Sequence, residues 1–504
     1  MRCLGLLACL LIACDATPDA TPDGGPVEDG SVPFDAARGD ASLGPSGGLT
    51  GRVTAPDRPF TAAGFTGEIL RRPAPGIEVE AVSTDETVWG RARTDVDGRF
   101  TLPPAPPGSW RLRARAQVVW GGPSVDVRDA NGRPYVIEGP EIKGEVGEVS
   151  LDVDGRAGAV FHILEEARRG LEAVVEAVGP TDVRLTYRWQ AGVAWPCGSC
   201  YLPDTVLLGG GLEDPDEFDD AIILHEQGHW FIARFSADDS PGGPHRNRLV
   251  SPVLAYGEGV AYFFAALVLQ DPLVLDTFID SVRAVDLEAV TINGEADPAL
   301  RGTTSGTLTG DLREELVAGI LWDVFDPPTP TEPFDRVALG RAGMFEVLTD
   351  VFGADPPDGG ARGIDLADWL EHLACSLGPT DVQALADERA YPWTPQLGCG
   401  KGRIEPPFTL TTRAGGVWLH APAGQSLRVR INEKSQWIQC IVPCRVADAH
   451  PDAQIVVSAP HQRWAGRSWL GARRLARLAG GRVVGDVRIL PARGGMLSAP
   501  MESP

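Results

Sequence analysis

The sequence predicts a multidomain protein with an N-terminal β-sandwich, a central α+β domain and a C-terminal β-sandwich. Apolar and polar residues alternate with a period of two in short segments up to residue 153 and again from residue 403, as in half-buried strands. Between these regions, apolar residues recur at helical spacing. A chain of 504 residues, 43% of them hydrophobic, is long enough for several domains with real cores. The predicted parts are a signal peptide at 1–13, a flexible tether at 14–48, a β-sandwich at 49–153, an α+β domain at 155–400 and a β-rich domain at 403–504.

The N-terminus has the pattern of a targeting segment. Arg2 precedes an apolar run from Leu4 to Ile12, which is too short to cross a bilayer and is typical of a signal peptide. The residues Leu-Ile-Ala-Cys that end at Cys14 resemble the lipobox of bacterial lipoproteins. This resemblance implies cleavage before Cys14 and acylation of that cysteine, and therefore a lipid-anchored, extracytoplasmic protein of the bacterial cell envelope. We favour the outer membrane or cell surface over the inner membrane, and an ordinary secretory peptide is the alternative.

Composition predicts a flexible tether after Cys14 and argues against nucleic acid as a partner. Residues 15–48 consist mainly of Asp, Pro, Gly, Ala, Ser and Thr, so they cannot bury enough apolar surface to order themselves and read as a tether. The formal net charge of −24 provides no positive field for phosphates, so nucleic acid is not an expected partner. The oligomeric state does not follow from the sequence.

The first predicted sandwich contains an Asp-Gly turn between two strand-like segments, at Asp97 and Gly98. This turn and the Pro-Gly-Ser-Trp segment that begins at Pro107 resemble the carboxypeptidase regulatory-like β-sandwich. The resemblance implies an accessory module without chemistry of its own. Asp95 and Asp97 are also a conceivable calcium pair, but no twelve-residue loop with a closing glutamate follows, which favours a plain turn.

The central region contains His225, Glu226 and His229 in the order His-Glu-x-x-His. Acidic residues precede an apolar run here and predict a helix over 216–234. On a helix, positions i and i+4 share a face, so both imidazoles can reach one metal ion and Glu226 can take a proton from an activated water. The alternative is a surface helix on which two histidines happen to lie four residues apart.

A catalytic zinc needs a third protein ligand, and Glu258 is the candidate. It is the only acidic residue between Asp239 and Asp271, and it lies in an apolar helical run. A carboxylate in such a position is costly unless it is paired or bound to a metal. The alternative is a glutamate at a helix start that faces water.

The His-Glu-x-x-His motif followed by Glu-Gly-x-Ala-x-Phe from Glu258 resembles the gluzincin clan of zinc metallopeptidases. The resemblance implies a zincin-like domain at 155–400, zinc as cofactor, a peptide or protein substrate, His225, His229 and Glu258 as ligands, and Glu226 as general base. Two features depart from the clan: 28 residues separate His229 from Glu258, and no Gly-x-Met-Glu-Asn segment precedes the motif. The second departure makes endopeptidase activity the better expectation.

Further roles are implied by the same resemblance. Gluzincins stabilise the oxyanion of the reaction with a tyrosine or histidine, and His245 and Tyr256 are the candidates; a solvent-exposed loop histidine is the alternative for His245. Independently of the resemblance, a ligand histidine usually donates its second ring nitrogen to a carboxylate or carbonyl; Glu315 or Asp323 could serve, and surface positions for both are the equal alternative. The strand before the zinc helix, at 204–209, is expected to pair with an extended substrate.

Six cysteines remain after Cys3, Cys9 and Cys14 are assigned to the signal and anchor. Neighbours in sequence suggest disulfides 197–200, 375–399 and 440–444, although six cysteines allow fifteen pairings. The pair at Cys197 and Cys200 also matches the Cys-x-x-Cys redox form, but a structural clip is favoured because no strand-to-helix pattern surrounds it.

Three functions therefore remain open from the sequence. The first is an extracytoplasmic zinc peptidase. The second is a surface-anchored binding protein built on an inactive zincin scaffold. The third is a thiol–disulfide exchanger that uses Cys197 and Cys200.

Overall fold

A computed structural model describes residues 49–395 with short gaps and, between 409 and 490, the strand segments alone. The gaps lie at 105–107, 144–147, 153–157, 180, 237, 304, 328–331, 333 and 352–359. The predicted signal peptide, tether and lipidated Cys14 lie outside the described residues. The described part combines several β-sheets with helices, an arrangement compatible with a multidomain α+β protein.

Short strands fill the region before the first helix, as the alternating pattern predicts. Their bounds are β1 (Leu49–Asp57), β2 (Phe60–Thr61), β3 (Gly64–Phe65), β4 (Leu70–Pro73), β5 (Ile77–Ser83), β6 (Val88–Arg93), β7 (Arg99–Leu102), β8 (Ser109–Val119), β9 (Ser124–Arg128), β10 (Val136–Lys143) and β11 (Glu148–Asp152). The predicted turn is present, since the Asp95 carboxylate accepts hydrogen bonds from the backbone N–H groups of Asp97 and Arg99.

Helices and further strands alternate after residue 157. The helices are α1 (Ala159–Val178), α2 (Asp220–Phe235), α3 (Pro252–Leu269), α4 (Glu314–Phe325), α5 (Gly340–Glu346), α6 (Leu366–Leu377) and α7 (Pro379–Glu388). The strands are β12 (Arg184–Arg188), β13 (Cys200–Leu202), β14 (Thr205–Leu207), β15 (Leu273–Thr277), β16 (Val282–Asp286) and β17 (Thr291–Ile292). The helix predicted over 216–234 begins later, at Asp220, because Asp219 is extended and separates it from a 3₁₀ turn at Asp216–Phe218.

The strands β2 and β3 pair only with each other, and the other strands of the N-terminal region form two sheets, one of which continues into the helical region. The first sheet has the order β11-β1-β4, with β7 also on β1. The second has the order β13-β14-β12-β9-β8-β5-β6, with β10 also on β8. In this second sheet β12 pairs in parallel with β9, placing Thr186 opposite Asp126. The boundary predicted at 153–155 therefore crosses a continuous sheet, because β9 leaves an edge that β12 completes.

The same sheet corrects the expected role of 204–209. Strand β14 pairs with β12 on one side and with β13 on the other, so neither of its edges is open to a substrate. Strand β13 is the outer strand, and it begins at Cys200, which forms the predicted disulfide with Cys197. The disulfides expected at 375–399 and 440–444 involve side chains outside the described residues.

Helix α3 is the centre of the helical region. It is the one helix in the described residues that is long and apolar enough to cross a membrane, but 89% of it is buried inside the protein, as in the core helix of a soluble domain. Two glycines bring its neighbours close. A Cβ on Gly228 of α2 would lie 2.9 Å from the Ala261 Cα of α3, and a Cβ on Gly259 would lie 2.6 Å from Val317 of α4. These contacts bring α2, α3 and α4 together at the centre described below.

Strands return after residue 408, as predicted. They are β18 (Thr409–Arg413), β19 (Gly416–His420), β20 (Ser426–Ile431), β21 (Ile438–Ile441), β22 (Cys444–Ala447), β23 (Gln454–Ser458), β24 (Gln462–Trp464), β25 (Arg467–Trp469), β26 (Arg473–Ala479) and β27 (Arg482–Leu490). They pair as β18-β19-β22, β21-β20-β23-β26-β27 and β24-β25.

Candidate metal centre

Two helices supply the three predicted ligands. His225 and His229 lie one turn apart on α2, and both imidazoles face α3. Glu258 lies in the second turn of α3, and its side chain faces α2. Because Gly228 lies between the two histidines and has no side chain, the helices approach closely enough for these groups to meet.

The ligand atoms form a small triangle. His229 Nε2 lies 3.0 Å from Glu258 Oε2, and His225 Nε2 lies 3.4 Å from the same oxygen. The two Nε2 atoms are 3.2 Å apart. The structure therefore brings together all three residues that the sequence predicted as ligands.

This triangle has the dimensions of a tetrahedral zinc site. Zinc bonds to nitrogen and oxygen of about 2.0–2.1 Å place neighbouring ligand atoms about 3.3 Å apart. One corner of the triangle also favours a cation, since Glu258 Oε2 is buried and makes no hydrogen bond. A buried polar atom without a partner is costly, and a metal on Glu258 Oε2 removes that cost at the oxygen. The residues present fit zinc.

The electrostatics of the three groups are strongly coupled. Burial lowers the pKa of His225 to about 4, and the neighbouring His229 contributes to the same shift. Burial also disfavours the charged form of His229, but the Glu258 carboxylate outweighs it and raises the pKa of His229 to about 9. Despite its own burial, Glu258 has a pKa well below its ordinary value because the histidines surround it. Among the described residues, every ion pair of Glu258 is with a histidine, so a cation here meets a carboxylate that is already ionised.

Glu226 lies beside the triangle and is not one of its corners. Its carboxylate is buried, and Oε2 makes no hydrogen bond. Burial raises the pKa of Glu226 to about 7, with the Glu258 carboxylate adding to the shift and His229 opposing it. A carboxylate with a pKa near neutrality can accept and return a proton, as a general base requires.

The loop histidine that the sequence singled out also reaches the centre. His245 Nε2 lies 3.6 Å from Glu258 Oε1, the carboxylate oxygen outside the triangle. His245 Nδ1 lies 2.8 Å from Oε2 of Glu314, which is fully buried at the first position of α4. Burial lowers the pKa of His245, but Glu314 and Glu258 outweigh it and raise the pKa above its ordinary value. A hydrogen bond from Nδ1–H to Glu314 leaves Nε2 facing the centre.

Tyr256 is the second residue that the sequence predicted as an oxyanion donor. It is two residues before Glu258 on α3, and positions i and i+2 point to different sides of a helix. Burial raises the pKa of Tyr256 well above its ordinary value, and the carboxylates of Asp238, Asp368 and Asp365 add to the shift, so the phenol lies toward the start of α6. The role of Tyr256 as an oxyanion donor therefore stays a prediction, whereas His245 has a direct contact with Glu258.

The predicted partners of the ligand histidines are also corrected. Glu315 is buried and binds the guanidinium groups of Arg283 and Arg313, and Asp323 binds Arg389. The edge of the Tyr262 ring packs on His225, with ring centroids 4.7 Å apart, and its hydroxyl accepts a hydrogen bond from Arg283. Neither predicted carboxylate contacts a ligand histidine; Tyr262 orients the His225 ring instead.

Sequence reasoning missed Glu314, Tyr262 and Arg283. One signal was available for the first, because Glu314 and Glu315 are consecutive glutamates at the start of an otherwise apolar helix. A carboxylate in an apolar helix is costly unless it is paired, and this argument, which identified Glu258, applies equally to Glu314. Tyr262 and Arg283 have no comparable signal, because their contacts depend on how α3 and β16 lie relative to each other.

Two other groups of described residues bring possible ligand atoms within 4.8 Å of one another. One contains His162, Glu166 and Asp220, and the other contains Asp214, Asp216 and Asp276. Neither includes a pair of helical histidines. In comparisons with known proteins, no family model and no curated protein matches this chain.

Proposed function

We propose that this protein is an extracytoplasmic zinc-dependent peptidase, with endopeptidase activity the better expectation. The observation that carries the proposal is the triangle of His225 Nε2, His229 Nε2 and Glu258 Oε2, with sides between 3.0 and 3.4 Å. Three protein ligands that leave a coordination position open are the arrangement of catalytic rather than structural zinc. The gluzincin-like order of the two motifs agrees with the same chemistry.

The roles of the side chains follow from their positions. Zinc held by the three ligands would polarise a peptide carbonyl and lower the pKa of a bound water. Glu226 accepts the proton of the attacking water and returns it to the leaving amine, for which a pKa near 7 is suitable. His245, held through Nδ1 by Glu314, directs Nε2 at the centre and is placed to donate a hydrogen bond to the developing oxyanion.

The compartment is part of the proposal. The Cys197–Cys200 disulfide suits an oxidising environment, as does the signal sequence with its lipobox-like Cys14. A chain anchored by lipid at the bacterial cell envelope, with an acidic surface, would act on peptides or proteins outside the cytoplasm.

The test is the Glu226→Gln variant. The amide keeps the size of the side chain but cannot accept the proton, so we expect about one zinc per chain and a loss of roughly 10²–10⁴-fold in cleavage of a peptide library. The matched control is Glu172→Gln, which changes a half-exposed glutamate on α1 and should leave both zinc content and cleavage unchanged. Full activity in Glu226→Gln would reject this mechanism.

The alternative is a surface-anchored binding protein on an inactive zincin scaffold. It predicts one zinc per chain in the wild-type protein and no cleavage of any peptide in the same library. Peptides retained on the wild-type protein without cleavage would support the alternative. The same assay therefore separates the two functions.

A further inference from the structure

A cavity of about 620 Å³ lies over the second sheet, where the last turn of α2 also reaches it. Its floor is formed by outward-facing residues of β9, β12 and β14. Four arginines line it. One comes from β9, two come from β12 and one comes from the last turn of α2: Arg128, Arg184, Arg188 and Arg234. We call this space the arginine cavity. The concentration of cations is notable in a chain with a formal net charge of −24.

Two of these arginines face each other directly. Arg128 and Arg188 are register partners on the parallel strands β9 and β12. Like charges at facing positions of a sheet destabilise it unless an anion lies between them. The buried carboxylate of Asp126 compensates for Arg128 at 2.5 Å and Arg184 at 2.7 Å, and it accepts a third hydrogen bond from Thr186. The Asp126 carboxylate therefore pairs with Arg128, Arg184 and Thr186 and does not compensate the charge of Arg188.

Arg188 and Arg234 keep unused hydrogen-bonding capacity. Arg188 donates to the backbone carbonyl of Ala130 and packs over the ring of Trp195, but its Nε is buried without a hydrogen-bond partner. Within the described part of the chain, Arg188 contacts no carboxylate, and Arg234 makes no hydrogen bond or ion pair. A guanidinium fork is matched in geometry to the two oxygens of a carboxylate or phosphate.

The remaining lining groups indicate the kind of anion. Thr186, Thr205 and Asn131 add neutral hydrogen-bonding groups, while Asp182 and Asp204 place exposed carboxylates at the rim. A single inorganic ion would occupy only a small part of 620 Å³, and the rim carboxylates repel a ligand that is charged throughout. The cavity fits a small polar molecule with two or more oxyanion groups directed at the arginines. We propose that the arginine cavity binds such a polyvalent oxyanion, through phosphate or carboxylate groups.

The proposal is tested by calorimetric titration with two probes at low ionic strength. Inorganic tripolyphosphate represents the phosphate chemistry and citrate represents the carboxylate chemistry. We expect saturable one-to-one binding of at least one probe, and the tighter of the two identifies the preferred group. Arg188→Gln should weaken binding about tenfold or more, because it removes a charge-assisted hydrogen bond.

Two further variants guard against misfolding and bulk charge effects. Arg234→Gln removes an exposed side chain at a helix end, so the fold should persist while binding weakens. Arg115→Gln removes an arginine on the same sheet face that is 42% exposed, lies outside the cavity and pairs with Glu80, so binding should stay as in the wild type. The proposal is overturned if neither probe binds, or if Arg115→Gln weakens binding as much as the two cavity variants.

The outcome is independent of the proposed peptidase activity. Both probes chelate metals, so the titration is repeated with His229→Ala, which disrupts the metal centre. We expect binding to persist in this variant. Loss of binding there, with binding retained in Arg188→Gln, would place the anion at the metal centre and reject the cavity.

Discussion

Two clusters in this molecule have the same ingredients but different surroundings. Helix α1 carries His162 and Glu166 at positions i and i+4, and Asp220 from the start of α2 completes the group. The metal centre has His225 and His229 at the same spacing, completed by Glu258 from α3. In both groups the candidate ligand atoms lie within 4.8 Å of one another, and in both most of the side chains are buried. Spacing and burial alone do not separate them.

The difference lies in how each cluster is neutralised. In the α1 cluster, His162 Nε2 lies 3.0 Å from Asp220, and Arg169 lies 2.6 Å from Glu166 and 3.8 Å from Asp220. The polar atoms of this cluster are not among the buried atoms without hydrogen bonds. The metal centre receives no arginine or lysine among the described residues, and it leaves Glu258 Oε2 without a hydrogen bond. In the first cluster Arg169 supplies the cation, whereas in the second no arginine or lysine among the described residues does so.

The largest expected difference between the two clusters is in zinc binding, and it is tested by removing one carboxylate from each. We expect Glu258→Ala to weaken zinc binding by more than about 100-fold, since even residues that only support a ligand are worth about 10–100-fold. Glu166→Ala is the matched control, a buried glutamate of the α1 cluster, and should leave one zinc per chain. Metal analysis after dialysis measures both. Equal zinc content in the two variants would remove the distinction between the clusters.

The next prediction concerns how much Arg169 stabilises the fold by pairing with Glu166. Replacing it by methionine leaves the Glu166 carboxylate buried without its cation, which costs about 3 kcal/mol of unfolding free energy, at the lower end of the range for broken buried pairs. The loss is moderated because burial already raises the pKa of Glu166 to about 7, so the group can take up a proton. Urea unfolding at pH 7.5 measures the cost, and zinc content should not change.

A matched control for this variant is available on the same helix. Arg168 forms ion pairs with Glu165 and Glu172, of which the second is 44% exposed. Arg168→Met should therefore cost less than Arg169→Met, because the carboxylates of Glu165 and Glu172 are 21% and 44% exposed whereas that of Glu166 is 3% exposed. Similar losses in the two variants would show that the charge on Glu166 does not need its arginine.

The sequence predicted the local elements better than their assembly. The strands before residue 153 and after residue 408 follow from periodicity, and the helix bearing the histidines follows from the acidic residues before an apolar run. The shared sheet does not, because the parallel pairing of β9 with β12 joins segments about 60 residues apart. Period-two alternation indicates that a segment is a strand but not which strand lies beside it. The separation of residues 49–153 from the rest was an inference from the change in periodicity, and the pairing of β9 with β12 does not follow that division.

The candidate site shows the same division. His225, His229 and Glu258 were predictable because a motif spacing and an isolated carboxylate in an apolar run are both visible in one dimension. Tyr256 was chosen among the tyrosines by its position in sequence, and the carboxylates that act on its phenol are those of Asp238, Asp368 and Asp365. Glu314 was missed because its partner, His245, lies 69 residues away. Ion pairs between residues that are distant in sequence depend on how the helices pack, so the sequence alone does not predict them.

The smallest expected effect is a pH dependence that belongs to the α1 cluster alone. Burial disfavours the charged form of His162, but Asp220, Glu166 and Asp57 outweigh it and raise the pKa of His162 above its ordinary value, while Arg169 also pairs with Asp220 and Glu166. A raised pKa in the folded state means that protonated His162 stabilises the fold fully below its unfolded pKa of about 6.5, and that this contribution is lost as pH rises through the folded value. His162→Gln removes this contribution. Between pH 6 and pH 9, with zinc saturating, the unfolding free energy of the wild-type protein should therefore fall more steeply than that of the variant. Parallel profiles would mean that His162 is neutral throughout and that the α1 cluster is held together by Arg169 alone.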